Sequence, residues 1–187
     1  MLSNPQRQRL LTLAGESIQR GLGEGRQPPW SAAATDPDLD VQRASFVTLK
    51  INDMLRGCCG TLLATRALAA DVWCNAWTSA FADPRFAPLT PDEYPQLDVQ
   101  ISVLSPVEPL HVASERELHD ALRPDVDGLV LEIGPARATF LPAVWEQLPD
   151  TAEFLAHLKR KAGLPADFWS PQLRIFRYTT ECFGAQR

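Results

Sequence analysis

Basic residues are the minority charge in this 187-residue sequence: 18 Lys and Arg stand against 23 Asp and Glu, a formal net charge of −5. A nucleic-acid-binding chain shows a basic face or stripe. The longest basic run here, Lys159-Arg160-Lys161, falls in a helical pattern where a solvated face is expected. No stretch reaches the ~20 consecutive apolar residues that cross a bilayer, so neither nucleic acid nor membrane is expected as a partner. The segment 1–9 has no apolar signal core after it, which points to a soluble, cytoplasmic chain. Cysteine is scarce and scattered, as Cys58, Cys59, Cys74 and Cys182, with no CxxC pair, and the three histidines lie elsewhere. A structural zinc needs four ligands at workable spacing, so no metal and no cofactor are expected, and the free thiols fit a reducing compartment. A Walker loop, a dinucleotide-binding fingerprint and paired glycosidase carboxylates are also missing.

What is present is an ordinary globular chain. Hydrophobic residues make up 45% and charged residues 22%, enough for a packed core in one domain spanning 1–187, or one domain with a small lobe. Leu10, Leu11, Leu13, Ala14 and Ile18 give a helical stripe over residues 5–20, which Gly21, Gly23 and Gly25 are expected to end. Residues 21–40, with Pro28, Pro29 and Pro37, read as an irregular connection. Ala44–Ile51 alternates with period two, Asn52-Asp53 suits a hairpin turn, and the return strand Met54–Leu62 carries Gly57 and Gly60. Glycines inside a strand predict a bulge or a close backbone approach.

The clearest helix runs from Arg66 to Phe81, with Leu68, Val72, Ala76 and Ala80 in one row and Trp73, Trp77 and Phe81 in the next. Thr90-Pro91-Asp92-Glu93 has the form of a capping box for a short helix. A half-buried strand follows at 97–103, then a capped helix from Ser114 to about Leu122. A hairpin over Leu129–Ile133 and Ala136–Leu141, with Glu132 facing Arg137, precedes a helix from Asp150 to Gly163 and a final strand Leu173–Cys182. Hairpins mixed with helices predict the α+β class with a largely antiparallel sheet and flanking helices.

Six segments then share one likeness: 55–62 (Leu-Arg-Gly-Cys-Cys-Gly-Thr-Leu), Asn75-Ala76 leading to 80–86, 101–106, 127–129, 139–149 and 158–164. Taken in order over about 44–181, they resemble the AMMECR domain, protein A of the AmmeMemoRadiSam system. The resemblance implies a larger and a smaller lobe with a cleft near Leu-Arg-Gly-Cys. It also implies two partners, a Memo-like protein and a radical S-adenosylmethionine protein, and carries no assigned reaction. Two departures stand out: Cys59 replaces an aliphatic residue, and Ala138 a glycine.

Cys58 is the candidate nucleophile: Arg56 is near in sequence to stabilise a thiolate, and the amides of Gly57, Gly60 and Thr61 to hold an oxyanion. Against that, a nucleophilic cysteine needs a base, and none of His111, His119 and His157 falls in the family-like segments. The bland alternative for Cys58 is a small buried residue. Arg85 suits either a small anionic ligand or a structural tie, to a helix C-terminus or to Asp83. Asn75, in an apolar helix, is expected to bond backbone of the glycine-containing strand. Trp145 reads as a core anchor. Two functions remain open: a cleft enzyme combining Arg56, Cys58, Asn75 and Arg85, or a non-catalytic adaptor presenting the same surface to its partners.

Overall fold

Ser3 opens the first helix, α1 (Asn4–Glu24), through a capping box in which its hydroxyl accepts from the Gln6 amide and the Gln6 side chain accepts from the Ser3 amide. Pro5 sits in the first turn and Gly25, at φ +65°, closes the last. The chain is described from a computed structural model, covering residues 1–31 and 36–184. The helix therefore runs through Gly21 and Gly23, which the sequence pattern makes its stop. Gly21 is a packing residue: a Cβ there would lie 2.5 Å from the Phe81 ring and 2.7 Å from that of Trp77. The irregular connection accordingly begins at Gly25, not Gly21, and among its described residues holds one 3₁₀ turn, at Pro37–Leu39. The portion of that expectation at 32–35 lies outside the described residues.

The described strands are β1 (Ser45–Ile51), β2 (Met54–Gly60), β3 (Asp98–Leu104), β4 (Glu108–Pro109), β5 (Gly128–Ile133), β6 (Ala136–Phe140), β7 (Arg174–Tyr178) and β8 (Thr180–Gly184). They form two four-stranded sheets, in the orders β2-β1-β3-β8 and β4-β7-β5-β6. The other helices are α2 (Leu68–Phe81), α3 (Glu115–Ala121) and α4 (Thr151–Lys161). This is the α+β class predicted. The chain divides into two compact units, one made of residues 1–104 with the segment from Glu181, the other of Ser105–Thr180.

In the first unit, Leu10, Leu13 and Ile18 of α1 and Leu68, Val72, Trp73 and Ala76 of α2 share a core with Val47, Leu49, Ile101 and Val103 of the sheet. Asn52 and Asp53 both take positive φ, at 51° and 61°, as a two-residue type I′ hairpin requires. The β1–β2 register slips between Leu49, opposite Gly57, and Lys50, opposite Leu55, so Arg56 is the extra residue of a bulge. Both outcomes expected of the glycines occur. A Cβ on Gly57 would run into the Ser79 carbonyl of α2, and one on Gly60 into Phe46.

In the second unit, Trp145 and Phe154 stack at 3.8 Å, with Leu118, Leu129, Leu131, Leu158 and Ile175 around them. The Trp145 Nε1–H donates to the Asp127 carbonyl at 2.8 Å, so the core-anchor reading holds. Glu132 and Arg137 do pair, at 3.0 Å, and Glu132 also meets Arg174 at 3.0 Å.

Three expectations need correction. Lys159 is not solvated: it is fully buried, donating to the Glu115 carboxylate at 2.6 Å and the Ala166 carbonyl at 3.0 Å. Its helical position sets it beside Leu155 and Leu158 on the inner face, and the period outweighs the charge of the run. The stretch 173–182 is two strands, not one. It breaks at Thr179, whose N–H donates to the Ser105 hydroxyl and whose carbonyl accepts from the Ser105 N–H, so β7 joins one sheet and β8 the other. Thr90–Glu93 opens only a 3₁₀ turn at Tyr94–Gln96: the Glu93 carboxylate accepts from the Thr90 N–H, but the Thr90 hydroxyl donates to that carboxylate instead of accepting from the Glu93 N–H, which goes to the Thr90 carbonyl.

The glycines give a paired test. Gly57→Ala meets backbone and should cost about 3 kcal/mol, at the upper end of overpacking. Gly23→Ala, helical with open space around it, should gain about 0.5–1 kcal/mol. Urea unfolding of both variants checks the opposite signs.

Candidate functional site

One stripe of α2 breaks its apolar pattern. Asp71, Asn75, Ser79 and, just past the helix end, Asp83 recur every four residues and are all buried. Spacing of four places them in one row, and each meets backbone or side chains of the β1–β2 hairpin. Asp71 accepts from the Ser45 N–H at 2.9 Å, the Ser45 hydroxyl at 2.7 Å and the Asn75 amide at 2.8 Å. It also accepts from Arg66 at 3.0 Å and from the Thr61 hydroxyl at 3.3 Å. Asn75 donates to the Ser45 carbonyl at 3.0 Å, on β1 and not on the glycine-containing strand where its partner is expected. Ser79 instead serves both strands: its hydroxyl accepts from the Cys59 N–H and donates to the Val47 carbonyl, each at 2.8 Å. Asp83 accepts from the Cys58 N–H at 2.9 Å.

Cys58, Arg56 and Arg85 are brought together at the end of this row. The Cys58 thiol lies on the sheet face of Thr48, its opposite number on β1, with the two side-chain atoms 3.3 Å apart. Arg85 grips both Asp83 oxygens, at 3.0 and 2.7 Å, and donates to the Cys58 carbonyl at 3.2 Å. The tie from Arg85 to Asp83 is therefore present. Arg56 forks onto the Glu93 carboxylate at 2.7 and 3.0 Å and reaches the Ala87 carbonyl at 3.0 Å. Its Nη1 is buried with no hydrogen-bond partner among the described residues. The two guanidinium carbons lie 5.9 and 5.5 Å from the centre of the Phe86 ring.

The charges of the site follow from these pairs. Arg85 first, and the Cys58 and Arg85 amides after it, hold the Asp83 carboxyl well below the usual carboxylate range. The Arg56 hydrogen bond, with help from Thr90, pulls Glu93 down to about 2. Burial, reinforced by Asp83, pushes the Cys59 thiol up.

Asn75 and Thr61 stand further along the row, with the Thr61 N–H already given to the Ser45 carbonyl at 3.1 Å. Gly57 and Gly60 contribute closeness of backbone. Sequence reading passed over Asp71, Ser79, Glu93 and Thr48. The i, i+4 polar spacing inside an apolar helix was the available signal for the first two, while Glu93 and Thr48 carry none that local pattern exposes. Among the described residues there is no group of His, Cys, Asp and Glu placed to hold a metal, and no helix long and apolar enough to cross a membrane.

The fold defines an α+β protein with two antiparallel sheets, and the comparison with known proteins places it further. The sequence model of AMMECR1 matches residues 11–183. A protein of Methanothermobacter thermautotrophicus is 41% identical over 150 residues, 79% of this chain and 78% of its own. One of Thermotoga maritima is 39% identical over 147 residues, covering 77% and 79%. The crystal structure of the uncharacterised protein PH0010 from Pyrococcus horikoshii superposes with a TM-score of 0.91 at 31% identity, covering 99% of this chain and 94% of that one. The chain belongs to the AMMECR1 family.

Both depressed carboxylates make stability depend on acid. A group whose folded pKa is lowered adds stability above its unfolded value and loses it as pH falls through the folded one. For Glu93 the window runs from 4.5 down to about 2; for Asp83 it begins at 3.8 and extends lower. Glu93→Gln should lower stability at pH 7 and flatten its decline between pH 4.5 and 2, read from urea midpoints across that range.

Proposed function

We propose that this chain is a binding module, the protein A of an AmmeMemoRadiSam system, acting with a Memo-like protein and a radical S-adenosylmethionine protein. One observation favours recognition over chemistry. Several groups around Cys58 that a nucleophilic mechanism would draw on are already engaged in the fold. Of the amides expected to hold an oxyanion, that of Thr61 bonds Ser45, and the Arg56 and Arg85 guanidiniums pair with Glu93 and Asp83. Among the described residues the side chain hydrogen-bonded to the thiol is the Thr48 hydroxyl, a group far too weakly basic to generate a thiolate. The same pairs hold the Arg56–Phe86–Arg85 surface in a fixed shape, as a recognition surface needs. Arg85 is 55% exposed and offers a guanidinium to an acidic group of a partner or to a small anionic ligand.

Cys58→Ala separates this role from catalysis. Tagged wild-type and variant chains would be used to capture proteins from the native host, and the variant would also replace the chromosomal copy. Recovery of both the Memo-like and the radical S-adenosylmethionine protein by both chains, with normal growth, is the expected result. Capture of both by the variant together with loss of growth would make Cys58 catalytic and defeat the binding-module reading. Failure to capture either protein with the wild-type chain would remove the assignment to that system.

A further inference from the structure

Among the described strands β2 is an edge strand, bonded to β1 alone, and an edge strand is a template for another chain. This edge has an adhesive composition. The run Cys58-Cys59-Gly60-Thr61-Leu62-Leu63 has neither charge nor proline, and Met54, Leu55 and Leu63 are 72, 42 and 58% exposed. Short uncharged segments of this kind are the ones that pair between chains.

The direction of the backbone shows what stands against that. The Cys59 and Thr61 N–H groups point toward β1, to the Ser79 hydroxyl that bridges to Val47 and to the Ser45 carbonyl. In an antiparallel strand alternate residues turn their N–H and C=O to opposite sides, so Cys58 turns both of its groups to the free edge. There the Asp83 carboxylate accepts from the Cys58 N–H and the Arg85 guanidinium donates to the Cys58 carbonyl, at 2.9 and 3.2 Å. The two side chains are joined to each other at 2.7 Å. One donor and one acceptor, held side by side, are what a residue of a neighbouring antiparallel strand would supply at this position.

The geometry points to the Asp83–Arg85 pair as an edge plug, which takes the place of a pairing strand at Cys58 and keeps β2 from adding to β2 of a second copy of the chain. Arg56 assists from within the strand. Its bulge breaks the regular spacing on the other side of Gly57, so an incoming strand meets the plug and the bulge two residues apart. The inference is independent of the partners proposed above and stands or falls by the state of the isolated protein.

The test is the mass of purified Asp83→Ala/Arg85→Ala by light scattering over a hundredfold range of concentration, with circular dichroism to establish folding. The wild type is expected to stay monomeric and the variant to double its mass or grow further as concentration rises. Adding Leu55→Lys, a charge on the same edge, should return the variant to monomer. A folded variant that stays monomeric throughout overturns the plug, and so does association that Leu55→Lys leaves undiminished. If the double variant does not fold, Arg85→Ala alone decides. It frees the Cys58 carbonyl while Asp83 still holds the N–H, and a folded monomer at every concentration overturns the proposal as well.

Discussion

The first unit depends on a row of four polar side chains, three on one helix and Asp83 just past its end, that reinforce the backbone ladder of a β-hairpin. Asp71, Asn75 and Ser79 of α2, with Asp83 after it, reach the N–H or C=O groups of Ser45, Val47, Cys58 and Cys59. A buried backbone group left without a partner costs about 1–3 kcal/mol, so the row decides whether β2 can lie where it does. Much else follows from that closeness. Gly57 is a glycine because the Ser79 carbonyl occupies the place of its Cβ. Asp83, taken by the Cys58 amide and well buried, needs a cation, and Arg85 supplies one two residues on.

The same closeness bears on function. Arg56, Cys58 and Arg85 come together, and what the structure displays at each is a bond to its own fold: Arg56 to Glu93, Cys58 to Asp83 and Arg85, Arg85 to Asp83. Side chains already held by such bonds have little freedom to lose on binding, which suits recognition. The proposal of a binding module rests on those bonds and on the company the Cys58 thiol keeps.

Most of the architecture was legible from local pattern. Period-two alternation found β1 and β3, and the i, i+4 rows of α2 found its apolar face. Asn52-Asp53 and Gly134-Pro135 set both hairpins, and the second fixed the Glu132–Arg137 register that the structure shows. The failures have a common cause, a tertiary contact that overrides a local signal. Gly21 reads as a helix stop and is a helix–helix contact with Trp77 and Phe81. Lys159 reads as surface charge and is buried against Glu115. The stretch 173–182 reads as one strand because both of its halves are extended, and nothing in a period of two marks where a chain changes sheets. The site was half legible. Its glycines and arginines drew attention by type, whereas Ser79 and Asp71 were hidden by an apolar helix whose polar spacing had to be read as carefully as its apolar one.

The claim that α2 reinforces the hairpin's ladder is tested most directly at Ser79, whose single hydroxyl meets both Val47 and Cys59. Urea unfolding of Ser79→Ala, with amide exchange at Cys59, should show a loss of about 2–3 kcal/mol, the cost of two stranded backbone groups, and faster exchange at that amide. Stability within about 0.5 kcal/mol of the wild type with Cys59 still protected would mean that the β1–β2 ladder holds without the hydroxyl, and would contradict the account.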